Sequence, residues 1–461
     1  MPDRPSSTKT VQLALHVVPG GAVALAAVMA LLTRTSNPIG ARLYGGPPGA
    51  DGVLAWRVVV IERDHGYYAA VPGARLHMTA SAHDRQTSCE GVTDTDGAWE
   101  ARLPMPTDDA SDVQIVVRAD RVERDLIAGA VPTRPAQWAS AFRKIDPAVR
   151  GEGSGALDIS MSLMRGALAA GFPEDVLIHV ASSASKEPAP QARVRVSGEG
   201  FDREPRGELL TDTNGDAQLR LTPTHHSPRV EIHATAAAGS DGRWEGMLPV
   251  TPGAMWVDPV ALAQGSLLVK SPVPHHAAYL TFFSEHARLF ATRLALAADP
   301  RGGAMGQMPM PALADEPAWV LASPDAQGQG MEAYEVAWPV SKARMNEDHL
   351  VPMPAATMRT PLLADGIPSA VLSSRALEKA ARARILAVLA LAAVIESALL
   401  LVRARQARTE LRAILASQAD IDEALLHSIA GGERYWIKLL IAAVLIAAIF
   451  GAVALLLWMR V

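Results

Sequence analysis

The stretch VTDTDGAWEARLP, from Val92 to Pro104, returns 118 residues later as LTDTNGDAQLRLTP, from Leu210 to Pro223. Upstream, Ala74-Arg75-Leu76 returns as Ala192-Arg193-Val194 at the same spacing. Downstream, VQIVVRA from Val113 returns as VEIHATA from Val230 at nearly that spacing. Self-similarity at a fixed offset marks a duplicated structural unit. In each copy a dipeptide that tolerates φ > 0, Asp96-Gly97 or Asn214-Gly215, predicts a tight hairpin turn. Beyond it, Trp99, Ala101 and Leu103 alternate with polar residues, as do Ala217, Leu219 and Leu221 in the second copy. A period of two marks a strand with one buried face. Short strands separated by turn signals predict antiparallel sandwiches of the immunoglobulin-like kind.

On these residues the chain resembles the carboxypeptidase regulatory-like, transthyretin-like β-sandwich module. Both copies carry its Thr-Asp-x-x-Gly signature, at Thr93-Asp94 with Gly97 and at Thr211-Asp212 with Gly215. The first copy leads in with Pro72-Gly73, and the second has Pro190-Gln191 there. The resemblance implies two sandwiches, over residues 52–135 and 172–252, and carries no peptidase activity with it. Residues 265–360 predict a third β-rich unit. Leu267–Val269, Ala278–Phe283, Phe290–Leu296 and Ala318–Leu321 read as its strands, separated by turns such as RGGAMGQMPMP. Residues 136–155 and 340–375 lack periodicity and read as linkers.

Three apolar runs frame this β-rich portion. Leu439 to Trp458 is free of charge over the length that crosses ~30 Å of hydrocarbon. Ile385 to Val402 is flanked by Arg384 and Arg403, and Val11 to Leu32 reads as an anchor within residues 1–34. The fold class expected is therefore mainly β with three transmembrane α-helices, the last two forming a hairpin over 376–461. Arg403, Arg405, Arg408, Arg412, Arg434 and Lys438 place the 403–438 loop in the cytoplasm by the positive-inside rule. The β-domains then lie outside. Arg375, Lys379, Arg382 and Arg384 oppose that orientation. Within the second run Glu396 is an ionisable group in hydrocarbon, which marks a functional contact. At ~1.5 Å per residue it lies about 9–10 Å from the cytoplasmic end. His16 lies at similar depth in the first run, and a Glu396–His16 contact docking the two helices is expected. A protonated Glu396 bonded to Ser397 or to a neighbouring backbone is the other reading. In the cytoplasmic loop Leu411, Ile414, Leu415, Ile421 and Leu425 form a helical stripe, a candidate partner surface.

Composition excludes several functions. The formal charge of −5 offers no basic face for nucleic acid. Arg outnumbers Lys and Ala is abundant, a bacterial bias. Cys89 is the only cysteine, so there is no disulfide and no thiolate zinc site, and it reads as a half-buried strand residue. A calcium loop fails: with Gly97 or Gly215 at position 6, Val92 or Leu210 falls at position 1, and Leu221 at position 12. The pairs His225-His226 and His275-His276, with His286, read as solvated loop histidines. No nucleophile elbow, Walker loop, zincin helix or dinucleotide fingerprint occurs, and no catalytic residue, metal or cofactor is expected. The expected function is a non-catalytic, membrane-anchored scaffold of the bacterial cytoplasmic membrane. It would touch membrane lipid and bind an envelope protein or glycan. The alternative is an accessory or sensor subunit of a transport or signalling complex.

Overall fold

The structure is a computed structural model. It describes residues 6–32, 37–64, 67–107, 110–120, 122–134, 138, 140–203, 205, 207–300, 302–313, 317–327, 336–340, 351–416 and 433–460. They divide into a β-rich unit, 39–367, and a helical unit made of 1–38 and 368–461.

The β-rich unit begins with β1 (Ile39–Tyr44), β2 (Val53–Asp64), β3 (Tyr67–Ala70), β4 (Arg75–Ala82), β5 (Arg85–Val92), β6 (Ala98–Pro104), β7 (Asp112–Ala119) and β8 (Ile127–Pro132). One sheet runs β3-β2-β1 and ends on a late strand, Leu362–Asp365, with β6 also paired to β2. The other runs β5-β4-β7-β8. Leu43, Trp56, Val58 and Leu103 from the first meet Met78, Ile115 and Val117 from the second in one core. This is a sandwich, and it takes in strands on both sides of the 52–135 span.

Next come β9 (Phe142–Lys144), β10 (Ala148–Val149), β11 (Gly151–Gly155), β12 (Leu157–Leu163), β13 (Leu168–Ala169), β14 (Glu174–Ser182), β15 (Arg193–Glu199), β16 (Glu208–Leu210), β17 (Asp216–Leu221), β18 (Arg229–Thr235), β19 (Asp241–Met247) and β20 (Val250–Thr251). The sheets β10-β12-β14-β17 and β11-β19-β18-β15-β16 enclose a second core, with Met161, Ile178 and Val180 facing Val194, Ile232 and Trp244.

The repeated Thr-Asp-x-x-Gly motif is the same object in both sandwiches, but it is not a hairpin turn. β5 pairs with β4 in one sheet and β6 with β2 in the other. Likewise β16 pairs with β15 and β17 with β14. Each motif is an arch that carries the chain between sheets. The expectation for Asp96-Gly97 and Asn214-Gly215 is corrected on that point, because a tight turn does not require that its flanking strands pair with each other. Thr93 Oγ1 donates to Val71 O (2.7 Å) and accepts from Ala74 N (2.9 Å); Thr211 does the same with Ala189 and Ala192. Asp94 Oδ1 accepts from the amides of Asp96 and Ala98, and Asp212 Oδ1 from those of Asn214 and Asp216. The side chains thus satisfy backbone groups that no ladder reaches.

Gly97 (φ 71°) and Gly215 (φ 77°) sit in the left-handed region. A Cβ on Gly97 would lie 2.5 Å from Val60 O, and one on Gly215 2.4 Å from Val180 O. Gly97→Ala is expected to cost at least about 1–2 kcal/mol, read as a lower urea midpoint with unchanged slope. Where the first copy has Gly73 (φ 69°), Gln191 holds φ 56°. Gln191→Gly is therefore expected to raise that midpoint, by up to ~1 kcal/mol, since it removes a left-handed side-chain residue.

The remaining strands are β21 (Trp256–Val257), β22 (Ser266–Ser271), β23 (Ala277–Phe283), β24 (Arg288–Ala295), β25 (Ala297–Ala298), β26 (Ala304–Pro309), β27 (Trp319–Ser323), β28 (Ala337–Pro339), β29 (Ala356–Met358) and β30 (Leu362–Asp365). With β9, the strands β21 to β29 form the sheets β21-β22-β26-β25 and β24-β23-β27-β28-β29-β9 around Leu267, Phe282, Val320 and Trp338, while β30 pairs with β1 in the first sandwich. Two expectations are corrected here. RGGAMGQMPMP contains β26, which pairs with β22 from Ser266–Pro309 to Ser271–Ala304. The stretches read as linkers contain β9, β10, β11, β29 and β30. These strands are too short or too Gly-rich to show a period in sequence, and they are held by long-range pairing.

In the helical unit the helices are Ser6–Leu32, Ile367–Ala416 and Glu433–Arg460. Among the described residues one helix is long and apolar enough to cross a membrane, over Ile367–Ile414. The other two contribute shorter apolar stretches, Val17–Ala30 and Leu440–Leu456. Of three spans expected, one is thus met at full length. Ala26, Ile385, Leu389, Ala392 and Phe450 bring all three helices into one apolar cluster.

Candidate functional site

Two polar junctions stand out in the β-rich unit, because they bury charge where sandwich cores bury only hydrocarbon. At the first, the arch of the first sandwich meets β23 and β24. Tyr279 Oη donates to Asp94 Oδ2 (2.9 Å) and Asp96 Oδ2 (2.5 Å), and His276 Nε2 lies 2.9 Å from Asp96 Oδ2. Arg293 Nε is 3.2 Å from Asp94 Oδ2, and its Nη2 donates to Thr95 Oγ1. Asn214 replaces Asp96 in the second copy, and Asp212 and Asn214 there are exposed. The duplicated arch has a docking role in one copy only.

Behind this arch lies a buried cluster. Arg57 Nε donates to Glu100 Oε1 (2.5 Å) and its Nη1 to Ala326 O, while its guanidinium sits 4.9 Å over the Tyr279 ring. Arg288, fully buried, has Nη2 3.6 Å from Glu100 Oε2 and donates through Nη1 to Tyr44 O. Burial pushes Arg288 down to about 9, with Glu100 opposing and Arg57 adding to the shift. The guanidinium stays charged at neutral pH. One carboxylate thus serves two buried cations.

The Asp96 carboxyl is pushed up by burial, but the hydrogen bonds from Tyr279 and His276 and the charges of His276 and Arg293 outweigh this. It ends below its ordinary value. An acid whose folded pKa is lowered adds stability above its unfolded pKa, ~3.9, and that stability is lost as pH falls through the folded value. We therefore expect the urea midpoint to drop more between pH 5 and pH 3 in the native chain than in Asp96→Asn. Equal drops would show that the docking is not ionic.

At the second junction, Arg165 follows β12 and Glu174 opens β14, both in the second sandwich. They meet Trp256 and Val257 of β21. Arg165 is bidentate to Glu174 and donates to Val257 O (2.6 Å), and Trp256 Nε1 donates to Glu174 Oε1 (2.7 Å). The Arg165 guanidinium also stands 4.6 Å over the Trp338 ring. Burial pushes the Glu174 carboxyl up, with Arg165 and Trp256 pulling the other way. Beside this pair opens a cleft of about 460 Å³, lined among others by Phe172, Asp175, Arg220, Asp258 and Lys270. That volume is in the range of small-molecule pockets. Phe172 stacks on Trp256 with ring centroids 5.2 Å apart and planes 3° from parallel. Asp175 and Arg220 form a bidentate pair (2.8 and 2.9 Å), and Lys270 reaches Asp258 at 3.4 Å.

The residues singled out in sequence are placed as follows. Cys89 is half-buried on β5, and burial pushes its thiol up to about 11, far from a reactive thiolate. His225 and His226 lie exposed in a loop, whereas His276 is engaged by Asp96. Among the described residues no group of His, Cys, Asp or Glu gathers as a metal site. Glu396 is buried in the helical unit, and Ser397 Oγ donates to Ala393 O. The His16 side chain lies outside the described residues. Leu411 and Ile414 are exposed on the long helix; the Leu415 side chain, Ile421 and Leu425 lie outside the described residues. Missed in sequence were Glu100, Arg57, Arg288, Arg165 and Glu174. Only the placing of charges beside apolar strand residues, as in Trp56-Arg57, hinted at them.

Fold and junctions together define a mainly β protein of tandem sandwiches with a helical unit containing one membrane-length helix. No family model matches the chain, and no curated protein matches it. Among solved structures it is similar to the D0-D1 domain of intimin, at 15% identity over 45% of this chain and 97% of that one, with a TM-score of 0.17. It is also similar to invasin, a bacterial integrin-binding protein, at 10% identity over 62% and 56%, TM-score 0.16. A third is a tetra-tandem repeat in the extending region of a large adhesion protein, at 12% identity over 62% and 70%, TM-score 0.16. Likenesses at these scores carry no argument, and the fold assignment rests on the strand pairing and cores described above.

Proposed function

We propose that this chain is a non-catalytic, membrane-anchored scaffold of the bacterial cell envelope, whose extracytoplasmic β-domains bind a protein or glycan partner. The observation that carries the reading is the pair of buried ionic junctions. Flexible stalks join sandwiches by solvated linkers, but here the first sandwich is fastened to the 265–360 unit through the buried Arg57–Glu100–Arg288 cluster, and the second to β21 and Trp338 through the buried Arg165–Glu174 pair. Such an arrangement favours a fixed binding surface over catalysis, which needs a cleft with an activated nucleophile or base. A partition into modules centred on 52–135, 172–252 and 265–360, the first completed by β1 and β30 and the second by β10, β11 and β12, is part of this proposal, as is membership of the two sandwiches in the regulatory-like class, supported by the Thr-Asp-x-x-Gly arches.

In the helical unit the proposal is three spans, 1–34 and the hairpin of 376–461, in the cytoplasmic membrane. The shared apolar cluster supports it. A contact between the buried Glu396 and His16, docking the first and second helices, is part of the proposal. If Glu396→Gln leaves helix association unchanged, that contact is lost from the reading. Purification in mild detergent with mass spectrometry of co-eluting proteins tests the whole. Envelope structural proteins are expected. A transporter or kinase subunit would replace the scaffold by an accessory or sensor role.

A further inference from the structure

The cleft between the second sandwich and the following β unit has a chemistry that selects among ligands. Its aromatic wall is Phe172, half-buried and stacked on Trp256. Its polar wall is made of planar or extended groups already paired with each other: Asp175 with Arg220, and Asp258 with Lys270. Glu174, held by Arg165, also lines it. Each of these cations faces a carboxylate a few ångströms away, and Asp299 adds a further carboxylate to the lining, so no excess positive charge waits for a phosphate or a carboxylate ligand. The pairing does not exhaust the groups. A guanidinium has five N–H donors, of which Asp175 takes two, and an ammonium has three, of which Asp258 takes one. The ligand that suits such a wall has many hydroxyls, no net charge and one apolar face.

We propose that this cleft binds a neutral oligosaccharide, one sugar ring lying with its C–H face on Phe172 while its hydroxyls bridge Arg220, Asp175 and Lys270. Vicinal hydroxyls match the spacing of a carboxylate or a guanidinium edge, and the pre-formed ion pairs hold those edges in place before the ligand arrives. Side chains fixed in advance lose little rotamer freedom on binding. The proposal rests on the scaffold reading and names the glycan side of it.

The test uses the full chain in a detergent without a sugar headgroup, titrated with cellotetraose, maltotetraose and chitotetraose by calorimetry and saturation-transfer NMR. Tetragalacturonate and spermine serve as charged comparators. Saturable binding of at least one neutral tetrasaccharide is expected, weakened at least tenfold (~1.4 kcal/mol) in Phe172→Ala and in Arg220→Gln. Arg220 is exposed, so its variant retains the fold if Phe172→Ala does not. The proposal is overturned if no neutral sugar binds at ~10 mM, a threshold near 3 kcal/mol of affinity. Binding unchanged in Arg220→Gln, or tighter binding of tetragalacturonate or spermine, would also overturn it. Loss of sugar binding with envelope proteins still co-eluting removes this inference alone; sugar binding with a transporter subunit co-eluting removes the scaffold reading alone.

Discussion

Replacing Glu100 by Gln is expected to destabilise the β-rich unit by about 3–5 kcal/mol. Glu100 is the carboxylate between Arg57 and Arg288, whose side chains are 3% and 0% exposed. Without its charge, two guanidiniums face one another with only carbonyl oxygens and the Tyr279 ring for compensation. Their repulsion acts where water does not screen it. The loss is a large share of the 5–15 kcal/mol that holds a typical domain. Urea unfolding of the chain in detergent, followed by tryptophan emission, reads it directly. The double variant Glu100→Gln with Arg288→Met should recover part of the loss, because it removes the charge that Glu100 was neutralising. A loss below ~1 kcal/mol in the single variant would mean that water reaches the cluster and that it fastens nothing.

Arg165→Met should cost about the same, 3–5 kcal/mol by the same reasoning, and should loosen the second sandwich from the β unit that follows. Glu174 would keep only the Trp256 N–H as a partner while remaining buried. Burial already raises this carboxyl, and loss of Arg165 removes the group that opposes the rise. An acid whose folded pKa is raised above its unfolded value carries a penalty that is fully present above the folded pKa. That penalty is relieved as pH falls through it. The deficit of Arg165→Met relative to the native chain should therefore shrink between pH 7 and pH 5. In the double variant Arg165→Met, Glu174→Gln the loss should be smaller than the sum of the singles, with no such pH dependence. A deficit that stays constant with pH would show that packing against Trp338 is what Arg165 supplies.

These two clusters also mark where sequence reasoning stopped. The strands expected at Leu267–Val269, Ala278–Phe283, Phe290–Leu296 and Ala318–Leu321 overlap β22, β23, β24 and β27, since alternation or a short apolar run is a local signal. The same locality explains the hairpin error. Asp96-Gly97 specifies a tight turn, but whether β6 then pairs with β5 or crosses to β2 depends on residues far from the turn. It explains β9, β26 and β29 as well, whose partners lie elsewhere in the chain.

The amino-acid sequence alone determined the duplication, the left-handed glycines of both arches, the β character of the repeated units and the apolar helices. Each of these depends on neighbours within a few positions, where steric limits on φ and the period of burial act. The tertiary structure alone decided that Asp96 meets His276, 180 residues away, that Glu100 serves two arginines, and that Arg165 holds Glu174 at the wall of a cleft. Charges on strands look the same in sequence whether they face water or a neighbouring sheet. Only the packing of the sheets excludes the water, and with it creates both the energetic cost of those charges and the need for partners.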